Sequence, residues 1–193
     1  MQRTHKFLDI PDYQQVSDEI YEYVVGRTDL LNDNNKEFFS YMDVDEMLKH
    51  TPLLQKFLQE KSLHPTIIGI VVTHVNSPSN LHVDFVDTLH TTYVRMLWPV
   101  KHCYGSRTIF YNIPKEYLTV TQQENGIPYY EVPTDRDWEY LDEFELKSPV
   151  IFDVMVPHEV VLAPNATDHR ISCTIGFSKE LPLSKSLDAW NEF

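Results

Sequence analysis

Ile67-Ile68-Gly69-Ile70-Val71-Val72 is the longest apolar run in the chain, and it is strand-sized. A membrane span needs about 18 or more apolar residues in succession, so the run is read as a buried strand and no span is expected. It opens the β-rich portion of the chain. From here on, β-branched and aromatic residues gather at 66–75, 81–85, 91–100, 107–112, 116–121, 149–155, 159–162 and 169–177. Turn residues at Asn76-Ser77-Pro78-Ser79, Tyr104-Gly105-Ser106 and Ala163-Pro164-Asn165 punctuate them. Eight short strands at this spacing predict an antiparallel sandwich or barrel.

Upstream of the run the period changes. Val16, Ile20 and Val24 recur near helical spacing behind Asp12, which predicts a helix over 13–25 with Asp12 as its cap. Thr51-Pro52 starts a second helix carrying Leu53, Leu54, Phe57, Leu58 and Leu63, with proline at the first helical position. Residues 43–48 read as a short helical turn and 30–35 as a polar loop. Downstream, 122–147 is rich in acids and aromatics (Tyr129, Tyr130, Trp138, Tyr140, Phe144) and interrupts the strand series. It is read as an insertion with a short helix near 135–144, placed to act as a lid. The tail 181–193 is read as a surface segment.

The whole composition fits one folded domain. A chain of 193 residues buries roughly 70% of its unfolded surface. The hydrophobic fraction is 42% and the charged fraction 23%, ordinary for a globular protein. Lys and Arg number 16 against 29 Asp and Glu, a net charge of −13, and no basic run exists to hold a phosphate backbone. Nucleic acid is therefore not an expected partner. Cys103 and Cys173 fit neither a disulfide framework nor a zinc cluster and are read as reduced thiols in or near the core. The first residues lack the apolar core of a signal peptide, so a cytoplasmic location is expected.

Candidate chemistry centres on His82-Val83-Asp84, at the start of a predicted strand. Residues i and i+2 of a strand project from one face, so His82 and Asp84 can reach a single ion together. His158, in Val156-Pro157-His158-Glu159, can complete the set. Two histidines and a carboxylate on one triangular face, with other positions open, is the donor set of non-haem Fe(II) oxygenases. A dozen residues on, Arg170-Ile171-Ser172 is another i, i+2 pair. A guanidinium fork suits a carboxylate, and a serine hydroxyl adds a hydrogen bond to it.

Taken in order, HVD at 82–84, PHEV at 157–160 and HRISCTIGF at 169–177 resemble the His-x-Asp, distal His and Arg-x-Ser signatures of the 2-oxoglutarate and Fe(II)-dependent dioxygenases. The stretch 98–111 is similar to the second-strand hairpin of prolyl-hydroxylase-like small oxygenases. The resemblance covers about residues 65–178, and the helical N-terminal region, residues 1–64, stands where family members carry buttressing helices. It implies a mainly β, double-stranded β-helix fold: a jelly-roll, cupin-like barrel with the metal at one mouth. It implies Fe(II) held by His82, Asp84 and His158, and 2-oxoglutarate held at its distal carboxylate by Arg170 with Ser172. Tyr93, Arg95 and Thr108 lie on strands that line such a barrel, and one of them is expected to add a hydrogen bond to the cosubstrate. The implied reaction consumes O2 and 2-oxoglutarate, releases succinate and CO2, and hydroxylates a C–H bond of a small-molecule or peptide substrate.

Two other function classes fit the same scaffold. A cupin-like isomerase or small-molecule binding protein would use the metal without 2-oxoglutarate, but cupins gather more histidines and a glutamate. A structural jelly roll would carry the motif by coincidence, and the metal content of the protein separates it from both.

Overall fold

The structure is a computed structural model and describes residues 4–27, 39–75, 80–84, 91–122, 126, 128–133 and 135–178. The predicted loop 30–35, the turn 76–79 and the tail 181–193 lie outside the described residues. Helix α1 spans Tyr13–Val25, α2 Val44–His50 and α3 Pro52–Glu60. The strands are β1 (His5–Phe7), β2 (Phe39–Met42), β3 (Pro65–Thr73), β4 (His82–Asp84), β5 (Thr91–Lys101), β6 (Arg107–Asn112), β7 (Thr119–Gln122), β8 (Pro128–Glu131), β9 (Glu139–Glu145), β10 (Val150–Asp153), β11 (His158–Val161) and β12 (Arg170–Ser178).

They form two antiparallel six-stranded sheets, ordered β1-β10-β5-β12-β3-β2 and β7-β8-β4-β11-β6-β9. Leaving aside β1, β2 and the β7–β8 hairpin, the cores of the sheets run β10-β5-β12-β3 and β4-β11-β6-β9, the alternation of a jelly roll.

Strand alternation sorts the first sheet into two faces. Ile68, Ile70, Val72, Val94, Met96, Trp98, Ile171, Cys173 and Ile175 turn outward and form one core with Val16, Ile20, Val24, Met47, Leu54 and Leu58 of the helices. The helices are thus held by the apolar stripes that predicted them. Trp98 ties α1 to β5: its Nε1 donates to Ser17 Oγ at 3.1 Å, and Ser17 Oγ donates to the Pro99 carbonyl at 2.6 Å. Pro99 has no N–H for the ladder, and the β5–β12 register shifts beside it, between Ile171 and Ser172.

The opposite face of β12 carries Arg170, Ser172, Thr174 and Gly176, and that of β5 carries Arg95 and Leu97. Leu97 joins Phe110, Phe144, Val150 and Phe152 in a second core between the sheets. Gly69 on β3 lies under the Phe39 ring, where any Cβ would strike the ring. That close approach lets β2 add to the edge of the sheet.

Three expectations are corrected. Asp12 stands at the start of α1 in a left-handed conformation, φ 56°, and its side chain caps nothing; its main-chain carbonyl accepts from Gln15 N at 3.0 Å instead. The genuine side-chain cap is Asp43, which accepts from Glu46 N at 2.8 Å and makes a full helix of the expected turn. Third, the helix expected near 135–144 is a strand over most of its length. Residues 139–145 form β9, paired along its length with β6, so the segment supplies a barrel strand. Phe144, 3% exposed, points into the inter-sheet core while charged neighbours face out, and that burial outweighs any helical spacing of the acids. Residues 128–131 form β8, paired with both β4 and β7. Ladder pairing of this kind argues against a lid. Strands β1 and β2, which the sequence pattern did not predict, extend the edges of the first sheet.

Candidate metal centre

His82 and His158 are direct partners across the antiparallel pair β4–β11, and Asp84 lies two residues along β4 on the same face. Main-chain bonds fix this short pairing from both sides: Asp84 N donates to the Val154 carbonyl at 3.3 Å and Tyr111 N to the Pro157 carbonyl at 2.9 Å. One donor atom from each of His82, Asp84 and His158 lies within 4.8 Å of the others.

The imidazoles are oriented by their own backbone. His82 Nδ1 is 2.7 Å from the Asn80 carbonyl, and His158 Nδ1 is 2.8 Å from the Val156 carbonyl. A carbonyl can only accept, so each Nδ1 carries the proton and each Nε2 presents a lone pair. His82 Nε2 then faces Asp84 Oδ1 at 3.4 Å, acceptor against acceptor. Burial lowers the His158 pKa to about 4, helped by the neighbouring His82, so at neutral pH its ring is uncharged. Burial by itself would raise the Asp84 pKa, yet the Arg95 guanidinium beside it holds it well below the usual carboxylate range. Two buried imidazoles with Nδ1 turned to a carbonyl, and a half-buried carboxylate, fit a divalent cation. A carbonyl behind each imidazole is the outer support that metal-bound histidines use.

Arg170 on β12 belongs to the other sheet. Its side chain is 1% exposed, and its contact with the protein is NH1 to Thr73 Oγ1 at 3.5 Å. Nε and NH2 have no hydrogen-bond partner, and among the described residues no carboxylate pairs with it. Ser172 Oγ, on the same face of β12, and Thr108 Oγ1, on β6, are also buried without a partner. A desolvated guanidinium with idle N–H groups is costly, and an anionic ligand with planar oxygens relieves that cost. The structure therefore brings His82, Asp84 and His158 together and leaves Arg170, Ser172 and Thr108 with capacity for a ligand. The Tyr93 side chain lies outside the described residues.

Arg95, expected among the residues lining the barrel, reaches Asp84 with one nitrogen and leaves its buried Nε without a hydrogen-bond partner. Its NH1 lies 3.2 Å from Asp84 Oδ2. Tyr129, expected in an insertion, sits instead opposite Asp84 in the β8–β4 ladder, with its ring centroid 6.3 Å from that of His82. The adjacent tyrosines of Pro128-Tyr129-Tyr130-Glu131, a residue type enriched in strands, are the available signal that a strand, and not a loop, flanks His82-Val83-Asp84.

No protein-family model matches the chain, and no curated protein matches it in sequence. Solved structures match it in fold. It is similar to a prolyl hydroxylase from Trichoplax adhaerens in complex with a hypoxia inducible factor oxygen degradation domain peptide fragment, at 13% identity over 92% of this chain and 84% of that chain, with a TM-score of 0.51. A Pseudomonas putida prolyl-4-hydroxylase matches at 16% identity over 91% of each chain, TM-score 0.48. The non-heme alpha ketoglutarate dependent carbocyclase SnoK from nogalamycin biosynthesis matches at 9% identity over 90% of this chain and 78% of that chain, TM-score 0.48. The likeness to the first of these establishes the fold. No helix among the described residues is long and apolar enough to cross a membrane.

Proposed function

We propose that the chain is a 2-oxoglutarate- and Fe(II)-dependent oxygenase that hydroxylates a C–H bond of a small-molecule or peptide substrate. One observation carries the reading: a single barrel holds three convergent acceptors on one sheet, both imidazoles buried, and on the facing sheet a buried guanidinium that no carboxylate pairs among the described residues. The first calls for a cation and the second for an anion, and a metal with a carboxylate cosubstrate answers both.

His82, Asp84 and His158 are the residues that would hold Fe(II). Arg170 would take the distal carboxylate of 2-oxoglutarate in its fork, with the Ser172 hydroxyl as a further donor and Thr108 Oγ1 available from the opposite wall. Bound together, iron and cosubstrate supply O2 activation coupled to release of succinate and CO2. The chain's own contribution is orientation and dryness. Phe110 and Phe152 stand 5.8 and 5.4 Å from the His158 ring, centroid to centroid, and wall off that side from water. The carbonyls of Asn80 and Val156 keep both imidazoles in the tautomer that can ligate. The net charge of −13 favours a substrate other than nucleic acid, since a like-charged partner is repelled.

The test is anaerobic. Protein loaded with Fe(II) is titrated with 2-oxoglutarate while the visible charge-transfer band is followed, and succinate release is then screened in air over peptides, amino acids and small metabolites. A band that saturates with 2-oxoglutarate, followed by substrate-dependent succinate, is the expected result. Metal uptake without cosubstrate binding points to the cupin-like alternative, and no metal uptake removes the reading altogether.

A further inference from the structure

The two oxygens of Asp84 face different partners. Oδ1 lies 3.4 Å from His82 Nε2, on the side where the donor atoms converge. Oδ2 lies 3.2 Å from Arg95 NH1. Arg95 comes from β5, in the other sheet, so this contact crosses the barrel. Its side chain is 5% exposed, and few waters compete with it for the carboxylate.

The neighbours of Arg95 keep the guanidinium in place. In the sheet it stands between Gly176 of β12 and Phe152 of β10. Gly176 brings no side chain, and a Cβ built there would already lie 3.8 Å from Arg95 Nε. Phe152 is buried on the other flank. Among the described residues, Asp84 is the only carboxylate paired with Arg95. One nitrogen of the arginine, NH1, is therefore committed to one oxygen of Asp84, while its buried Nε has no hydrogen-bond partner.

Resting on the metal reading above, we infer that Arg95 is a positioning residue that confines Asp84 to a single ligating oxygen. A carboxylate can grip a cation through one oxygen or through both. With Oδ2 held by the guanidinium, only Oδ1 is turned to the donor cluster. The consequence is arithmetic at the ion. An octahedral ion with three protein donors and a two-point chelate has one position left, and a second Asp84 oxygen would fill it. Arg95 keeps that position open. It acts through Asp84.

The test uses the full chain with Co(II) in place of iron, read by calorimetry and visible absorption, so that no turnover is needed. Arg95→Met removes the partner of Oδ2 and frees it to chelate. This variant is expected to bind Co(II) at least as tightly as the parent and then to bind 2-oxoglutarate about tenfold or more weakly. Arg95→Lys keeps a cation for Oδ2 and is expected to stay within about threefold of the parent. Unchanged 2-oxoglutarate affinity in Arg95→Met overturns the inference. So does an Arg95→Lys protein as weak as Arg95→Met, or a folded Arg95→Met protein that loses Co(II). Infrared difference spectra of the parent with 13C-labelled aspartate decide the question even where variants do not fold. A wide separation of the two carboxylate stretches on Co(II) binding is the expected one-oxygen pattern, and a narrow one overturns it. A parent that takes up no Co(II) overturns the metal reading and this inference with it. A parent that binds Co(II) but not 2-oxoglutarate overturns only the cosubstrate reading, and the infrared pattern still decides Asp84.

Discussion

His82 and His158 stand directly opposite each other across the β4–β11 ladder, with ring centroids 4.6 Å apart and planes inclined by 51°. Facing residues of an antiparallel pair have Cβ atoms about 5 Å apart, so the backbone alone delivers both imidazoles to one spot. Two residues that are 76 positions apart in the sequence numbering become a chelating pair through register.

Removing either ring deletes one of three donors while sparing the strands that present them. His82→Ala and His158→Ala are each expected to weaken divalent-metal binding by at least about 100-fold, with an unchanged far-ultraviolet circular dichroism spectrum. Elemental analysis after gel filtration checks it. Stoichiometric metal in either variant would refute the assignment.

The metal-free protein should lose stability on mild acidification. His158 has its pKa lowered to about 4 in the fold against 6.5 when exposed, so between those values the unfolded chain binds the extra proton and the native state does not. Stability therefore rises with pH across this window and falls as pH drops from 6.5 to 4. The span corresponds to roughly 3 kcal/mol as an upper bound. Asp84, held below the ordinary carboxylate range, adds a loss only at pH values below its unfolded pKa. Urea unfolding in the presence of a chelator measures the slope. A midpoint that does not change from pH 7 to pH 4.5 contradicts the buried neutral imidazole.

Arg170 should show opposite effects on stability and on ligand binding. The guanidinium is buried with no carboxylate beside it among the described residues. Arg170→Met removes that unpaired charge at similar volume, so the ligand-free protein is expected to melt at a higher temperature. The same variant should lose the thermal stabilisation that 2-oxoglutarate gives the metal-loaded parent. A variant that melts lower and still responds to 2-oxoglutarate would show that Arg170 serves the fold and not the ligand.

The sequence was legible wherever one residue type has one structural meaning. Val16, Ile20 and Val24 marked α1 to its ends because an apolar stripe must be buried, and Arg107–Asn112 marked β6 for the corresponding reason in a strand. The spacing of His82 and Asp84 implied a shared face, and pairing β4 with β11 supplied the third donor. Arg95 was harder to read. Its strand was expected to line the barrel, but strand parity left its role open, its partner Asp84 lies on the facing sheet, and no local pattern encodes the separation of two sheets. The acids of 135–145 misled for a related reason. Charges on the solvent face of an edge strand look like those of a helix until the partner strand is known, and among the described residues β9 pairs with β6 alone.

The last expectation concerns that strand. Phe144 is 3% exposed and packs among Phe110, Phe152 and His5, with centroid separations of 5.9, 6.3 and 4.8 Å. Its partner Thr108 in the β6 register is itself a barrel-facing residue, so the ring lies in the wall of the candidate site and not on a flap above it. Phe144→Ala deletes a fully packed ring from a dense core and is expected to cost about 3–5 kcal/mol. Tyr140→Ala, on the same strand but 56% exposed, should cost little. Hydrogen exchange gives an independent check. Amides of β9 bonded to β6 should exchange as slowly as those of β6 itself, with or without metal and 2-oxoglutarate, because opening them means opening the barrel. Fast exchange in 139–145 that slows on ligand addition would restore the lid that the ladder pairing argues against.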